Sequence, residues 1–143
     1  MSSNLTASLA GFLAANGMPG RIYHPREAIY SGDTYVEPDT MYVSNTLRAK
    51  LGDQRTSADI VFEVLSRSTA NFDRTTKADT YLALGVQELW LVDPMVRAIE
   101  IRNAATVKEF PVWNRRLYGA GESAFSPVLT GWRVSVDSVF AGI

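Results

Sequence analysis

The run "DIVFEVL", residues 59–65, places one carboxylate, Glu63, among apolar neighbours on both sides. An ionised carboxylate taken out of water without partners costs many kcal/mol. Such a residue pairs with a cation, binds a metal or keeps a proton. A second carboxylate stands upstream: Asp39 follows Pro38 at the start of the strand-like run "YVEPDTMYV". If the two runs pair as antiparallel neighbours, the start of the first lies beside the exit of the second. Asp39 and Glu63 then oppose each other, with Cβ atoms roughly 5 Å apart. Like charges that close repel unless a cation lies between them. Oxygen-only ligands suit Mg2+ or Mn2+, with waters and a substrate phosphate filling the remaining positions. Glu37, two residues before Asp39 and on the same strand face, can reach the rim of that site. Asp59 lies about 13 Å from Glu63 along a strand and reads as a strand-start residue.

The next segment supplies a cation. Asp73, Lys77 and Tyr81 are spaced i, i+4, i+8, on one face of a helix. If that face looks over the strand exit, Lys77 approaches Glu63, and Tyr81 packs against the lysine stem. A lysine there can orient an attacking water or stabilise charge developing on a phosphate. Arg67 and Arg74 flank the strand exit and the helix start. Arg48 and Lys50, in the preceding connection, are further candidates for phosphate contact, while Arg55 reads as a solvated residue. Each piece has a plainer reading. Glu63 suits a structural salt bridge, Asp39 a strand start, and Asp73 with Lys77 a surface ion pair of little energetic weight. The chemical case rests on the set.

The elements that must position this set can be read from periodicity. Leu5, Leu9, Phe12 and Leu13 fall at helical spacing, and "NGMPG" breaks the chain after them. Residues 21–33 read as short extended pieces with a turn at His24-Pro25. "SNTLRAKLGDQRTSA" reads as a polar connection. A helix is expected from near Ser68 or Thr69 to Gly85, a typical stop. "VQELWLVDP" reads as a strand and "RAIEIRN" as its hairpin partner. "TVKEFPVW" reads as a weaker strand, with Pro111 marking an edge. The tail "SPVLTGWRVSVDSVF" gives a turn, a short strand and an apolar end. Trp90, Trp113 and Trp132 read as core or interface rather than as base-stacking platforms, and His24 as structural. The order of helices and strands predicts an α/β (α+β) sheet domain, one unit over 1–143.

Composition narrows the chemistry. The chain has 143 residues, a hydrophobic share of 46% and a formal net charge of −1. That suits one folded domain rather than a disordered chain. There are no cysteines and one histidine, so thiolate and multi-histidine metal sites are excluded. The acidic balance, pI about 5.8, argues against tight sequence-blind nucleic-acid binding and for modest, salt-sensitive affinity. No apolar run approaches the ~20 residues of a membrane span, and the N-terminus lacks a basic signal-peptide start. A cytoplasmic location is expected.

Taken in order, "VEPDTMYV", "DIVFEVLSRST", Asp73, Lys77, Tyr81, "GVQELWLVDP" and "SPVLTGW" resemble the Uma family. Its members are bacterial candidate restriction endonucleases within the PD-(D/E)XK nuclease superfamily. The resemblance implies a restriction-endonuclease-like fold, a mixed sheet flanked by helices, and Mg2+- or Mn2+-dependent DNA cleavage. It maps the superfamily's Pro-Asp onto Pro38-Asp39 and its second-strand acid onto Glu63. The usual lysine two positions later is Leu65 here, and the family resemblance assigns that role to Lys77. Family members usually carry more chain ahead of the first long helix, so N-terminal shortening is expected. A nuclease cutting both strands is expected to be a homo-oligomer, a dimer. The competing expectation is a non-catalytic dimerisation or interaction module in which Glu63 is neutralised by Lys77 or an arginine. A hydrolase of small phosphorylated substrates lacks the glycine-rich phosphate loop that would support it.

Overall fold

The computed structural model describes residues 3–24 and 27–142. Its centre is a six-stranded sheet in the order β1-β4-β5-β6-β7-β8. The strands are β1 (Gly20–Tyr23), β4 (Thr40–Ser44), β5 (Ile60–Val64), β6 (Glu88–Asp93), β7 (Ala98–Val107) and β8 (Phe110–Tyr118). β5 and β6 run parallel, and every other neighbouring pair is antiparallel. A parallel pair needs a crossover. The crossover here is a helix over 70–83, made of α3 (Ala70–Phe72), a π-helical turn (Asp73–Lys77) and α4 (Ala78–Ala83). A side hairpin, β2 (Ile29–Ser31) with β3 (Thr34–Val36), precedes β4.

β5 and β6 are apolar on both faces because both faces are covered. On one face Ile60, Phe62, Trp90 and Val92 meet Leu5, Leu9 and Leu13 of α1 (Ser3–Ala15). The same core takes in Trp132 and α5 (Val136–Val139) from the C-terminal segment. The indoles of Trp90 and Trp132 stack with centroids 4.8 Å apart. β9 (Ser123–Phe125) and β10 (Arg133–Ser135) form a small ladder beside them. On the other face Val61, Leu89 and Leu91 pack under Ala78 and Tyr81 of the crossover helix and Ile29 of the side hairpin.

Two expectations are corrected. The connection after β4 is not all loop: α2 (Asn45–Leu51) begins where the Ser44 hydroxyl accepts from Leu47 N at 3.0 Å, and it stops at Gly52. None of its residues is fully buried, and of them only Leu47 packs against the core, a signal too sparse to mark it. "TVKEFPVW" is a hairpin rather than one strand. It turns at Lys108 and Glu109, both with positive φ, a geometry usually signalled by Asn-Gly. Pro111 does lie on β8, at the sheet's edge. Trp113 is half-buried against the crossover helix, its indole donating to Ala78 O at 3.1 Å. The expected His24-Pro25 turn falls partly on Pro25, outside the described residues.

Glu88 fastens the C-terminal segment to the sheet. Its Oε2 accepts from Trp90 Nε1 at 2.8 Å and Ser126 Oγ at 2.6 Å. Its Oε1 accepts from Asn103 Nδ2 at 2.9 Å and Val128 N at 3.2 Å. Glu88→Ala strands four donors, of which the Trp90 indole and the Ser126 hydroxyl are buried. Each buried donor without a partner costs about 1–3 kcal/mol. The variant is expected to lose roughly 3 kcal/mol or more of stability in urea titrations, and a loss under about 1 kcal/mol would contradict this account.

Candidate functional site

The paired strands set the site. In the β4–β5 ladder Thr40 opposes Phe62, so one further step brings Asp39 level with Glu63, as the antiparallel reading required. Val64 N donates to Asp39 Oδ2 at 2.7 Å and fixes that carboxylate on the neighbouring strand. Because β6 runs parallel to β5, Asp93 ends its strand at the same sheet end. Ligands of open α/β sheets gather at the carboxyl ends of parallel strands.

Glu63 points into the face covered by the crossover helix and is 2% exposed. Lys77 Nζ donates to its Oε2 at 2.9 Å, and Tyr81 donates to its Oε1 at 2.7 Å. Tyr81 therefore holds the carboxylate directly rather than bracing the lysine stem. Burial pushes the Glu63 carboxyl up to about 7; Lys77 and Tyr81 oppose that rise, and the Asp39 charge adds to it. Burial likewise pushes the Tyr81 phenol well up, reinforced by Glu63. Asp73 is buried, 4.0 Å from Lys77 Nζ, and its carboxyl is raised mainly by burial. Lys77 Nζ also donates to Glu37 O at 3.4 Å. Asp39, Glu63, Lys77, Tyr81 and Asp73 thus converge as one set, and Glu37 joins it through its backbone carbonyl while its carboxylate accepts from Tyr35.

The helix that delivers Lys77 is not uniformly α. Residues 73–77 form a π-helical turn, so the i, i+4 spacing of Asp73 and Lys77 is realised with one extra residue wound into the helix. Such turns are rare and often mark functional positions. Threonine hydroxyls take up carbonyls around it, Thr75 Oγ1 donating to Asn71 O at 2.6 Å and Thr80 Oγ1 to Thr76 O at 3.0 Å.

The basic candidates separate. Arg67 is exposed in the turn that follows β5. Arg74 is committed elsewhere, to Asp93 at 3.0 Å and Glu100 at 3.2 Å. Its carbonyl accepts from Arg102 Nη1 at 2.7 Å, and Arg102 also pairs with Glu100. This network, invisible in the sequence, clamps the π turn to β6 and β7. Arg48 and Lys50 belong to α2, beyond the far end of β4 from Asp39, ~15 Å or more away at strand rise. The structure does not bring them to the carboxylates. Arg55 bonds Glu27 at 2.8 Å. Asp59 Oδ2 accepts from Ser44 N at 2.6 Å, as a strand-start residue would. The unforeseen neighbours are the hydroxyls of Ser66 and Thr69, 2.8 Å apart just past the β5 exit; the "SRST" string is their one sequence sign.

The donor set fits a hard divalent cation. A carboxylate oxygen has two lone pairs. Each Glu63 oxygen receives one hydrogen bond, and Asp39 Oδ1 receives none from the described residues. Among the described residues no cluster of three or more His, Cys, Asp and Glu side chains is arranged to hold a metal. An ion at Asp39 and Glu63 would take most of its shell from water and substrate, as Mg2+ commonly does.

The fold is shared with a crystal structure described as a putative nuclease of the DUF820 family from Anabaena variabilis. The TM-score is 0.75 at 15% sequence identity, over 97% of this chain and 77% of that one. The chain belongs to the Uma2 family, described as "putative restriction endonuclease", whose family model matches residues 1–137. That span takes in the first helix and β1, well before the Val36 at which the likeness read from the motifs begins. No curated protein matches the chain. No helix among the described residues is long and apolar enough to cross a membrane.

The raised Glu63 carboxyl has a measurable consequence. Between about 4.5 and about 7 the folded chain holds a proton that the unfolded chain has released. Stability from this group is fully present below pH 4.5 and is lost as pH rises through 7. In chelator-containing buffer, the wild type is expected to lose on the order of 3 kcal/mol across that window through this group. Glu63→Gln should remove the slope; an unchanged slope in urea titrations across pH would contradict the assignment.

Proposed function

We propose that this chain is a metal-dependent endonuclease hydrolysing DNA phosphodiester bonds, with Asp39, Glu63 and Lys77 at its reaction centre. The observation that supports it most is the meeting of Glu63 with Lys77, 2.9 Å apart, at the sheet end where Asp39 stands. Asp39 and Glu63 would hold one Mg2+ or Mn2+, which when bound supplies positive charge at the scissile phosphate and a more acidic water.

The chain's own residues do the rest. The Lys77 ammonium stabilises charge developing on the phosphate or orients the attacking water. Asp73 and the Glu37 carbonyl keep that ammonium aimed. Tyr81 fixes the Glu63 carboxylate in one orientation, and Val64 N–H does the same for Asp39. Glu37 forms the outer rim. Arg67, exposed beside the site, contacts the DNA backbone. Arg48 and Lys50 add weaker, distant backbone attraction, and Arg74, tied to Asp93 and Glu100, acts by positioning the helix. With a formal net charge of −1, affinity for DNA is modest and falls with salt. Cutting both strands calls for two sites, which a homodimer supplies, and the substrate places the protein in the cytoplasm.

One observation favours a second reading. Both Glu63 oxygens already have protein donors, so the carboxylate is satisfied without an ion, as expected of an inactive relative kept as a dimerisation or interaction module. Calorimetric titration of Mn2+ decides between the two. On the nuclease reading the wild type binds, and Glu63→Ala and Asp39→Ala both abolish binding. Plasmid cleavage then falls roughly 100- to 1,000-fold in Lys77→Ala. A well-folded wild type that binds no Mn2+ would sink the nuclease reading and leave the module.

A further inference from the structure

The side hairpin carries two large aromatic rings that the fold leaves outside. Tyr30 and Tyr35 oppose each other across β2 and β3, with exposures of 52% and 53%. Their centroids are 5.0 Å apart at 69°, so one ring meets the other edge-on. The opposite face of the hairpin is anchored by Ile29 and Val36 in the core that also receives Tyr81. The platform is therefore mounted on the same side of the sheet as Glu63.

It is also wired to the site. The hairpin runs directly into Glu37, Pro38 and Asp39. The Tyr35 hydroxyl donates to the Glu37 carboxylate, and burial adds to that bond in pushing the phenol up to about 12. The Glu37 carbonyl in turn accepts from Lys77 Nζ at 3.4 Å. Beside Tyr30 lies a cavity of about 550 Å³ walled by Gly32, Asp53 and Arg55 among others. The charge there is balanced. Arg55 is bonded to Glu27, and Arg48 and Asp53 share the wall of an adjoining cavity. Aromatic faces, nucleotide-sized room and no excess of cations suit a flat neutral group rather than a phosphate. Nucleobases stack on such rings whatever their sequence. A base inside a duplex has both faces covered by its neighbours, whereas an unpaired base does not.

We propose that Tyr30 and Tyr35 form a stacking platform for an unpaired nucleobase of the bound strand, which makes DNA with unpaired nucleotides the preferred substrate. The proposal rests on the nuclease reading for the identity of its ligand, but its test reads binding and not cleavage. A fluorescently labelled single strand of about twelve nucleotides and the blunt duplex of the same sequence are titrated in EDTA, with anisotropy as readout. The wild type is expected to bind the single strand more tightly. Tyr30→Ala and Tyr35→Ala should each weaken single-strand binding roughly tenfold and leave duplex binding unchanged. The loss should be the same at low and moderate salt, because stacking carries no counterion release. Tyr30→Trp and Tyr35→Phe keep a ring, guard against a collapsed hairpin, and should retain the preference. Equal affinity for the two DNAs in the wild type, or an equal loss for both in the alanine variants, overturns the platform. A chain that binds no Mn2+ yet keeps the tyrosine-dependent preference would refute the nuclease reading and leave the platform standing.

Discussion

A carboxylate can sit in the middle of a doubly covered strand only if something polar is delivered to it from outside the sheet. For Glu63 that delivery comes from one helix, which presents Lys77 and Tyr81 one turn apart. The rest of the site follows from this constraint. The helix must cross over because β5 and β6 are parallel. It must lie over the strand exits, where Asp39 is held by the Val64 amide. And it must be wound so that Lys77 faces inward while Asp73 stays close, which is where the π turn falls. The ion network of Arg74, Asp93, Glu100 and Arg102 then locks that winding against the sheet.

The same sheet contains a second buried glutamate, and the contrast is instructive. Glu88 opposes Ile60 at the other end of the β5–β6 pair. Its two oxygens accept four neutral donors from strand, turn and C-terminal segment. No lysine or arginine is among those partners. Glu63 has two donors, one of them a cation, and an unsaturated carboxylate standing opposite. Two residues of the same type, both withdrawn from water, are thus held differently: one by four neutral donors, the other by an ammonium and a phenol.

Much of this was readable from the chain because apolar runs bounded by breakers are strong signals. β5 and β6 announced themselves, and the Pro38-Asp39 start gave the register that brings Asp39 to Glu63. The crossover helix was fixed by its length and by Gly85. What escaped had no apolar signature or depended on tertiary contact. α2 is solvent-facing, so its one local sign was the Ser44 cap. The Lys108-Glu109 turn adopts positive φ without glycine or asparagine. The π turn looks in sequence like any amphipathic helix. Whether Arg74 faces solvent or Asp93 is decided by how the helix sits on β6, while the antiparallel pairing of the two strands already puts the connection bearing Arg48 at the sheet end away from Asp39.

The first helix and the last are joined: Asn4 Nδ2 donates to Ser138 O at 2.8 Å and to Ala141 O at 3.1 Å. Leu5, Leu9 and Leu13 share one core with Trp132, Val136 and Val139. The two faces of the sheet therefore differ in how far along the chain their parts are drawn from. The face bearing Glu63 is covered by segments close in sequence to the strands beneath them. The opposite face is sealed by bringing residues 5–13 together with residues 132–139, contacts of long sequence separation. Long-range closure of that kind is slow in folding. In refolding, the face bearing Glu63 is expected to pack before the face that joins residues 5–13 to residues 132–139, whose contacts span most of the described sequence.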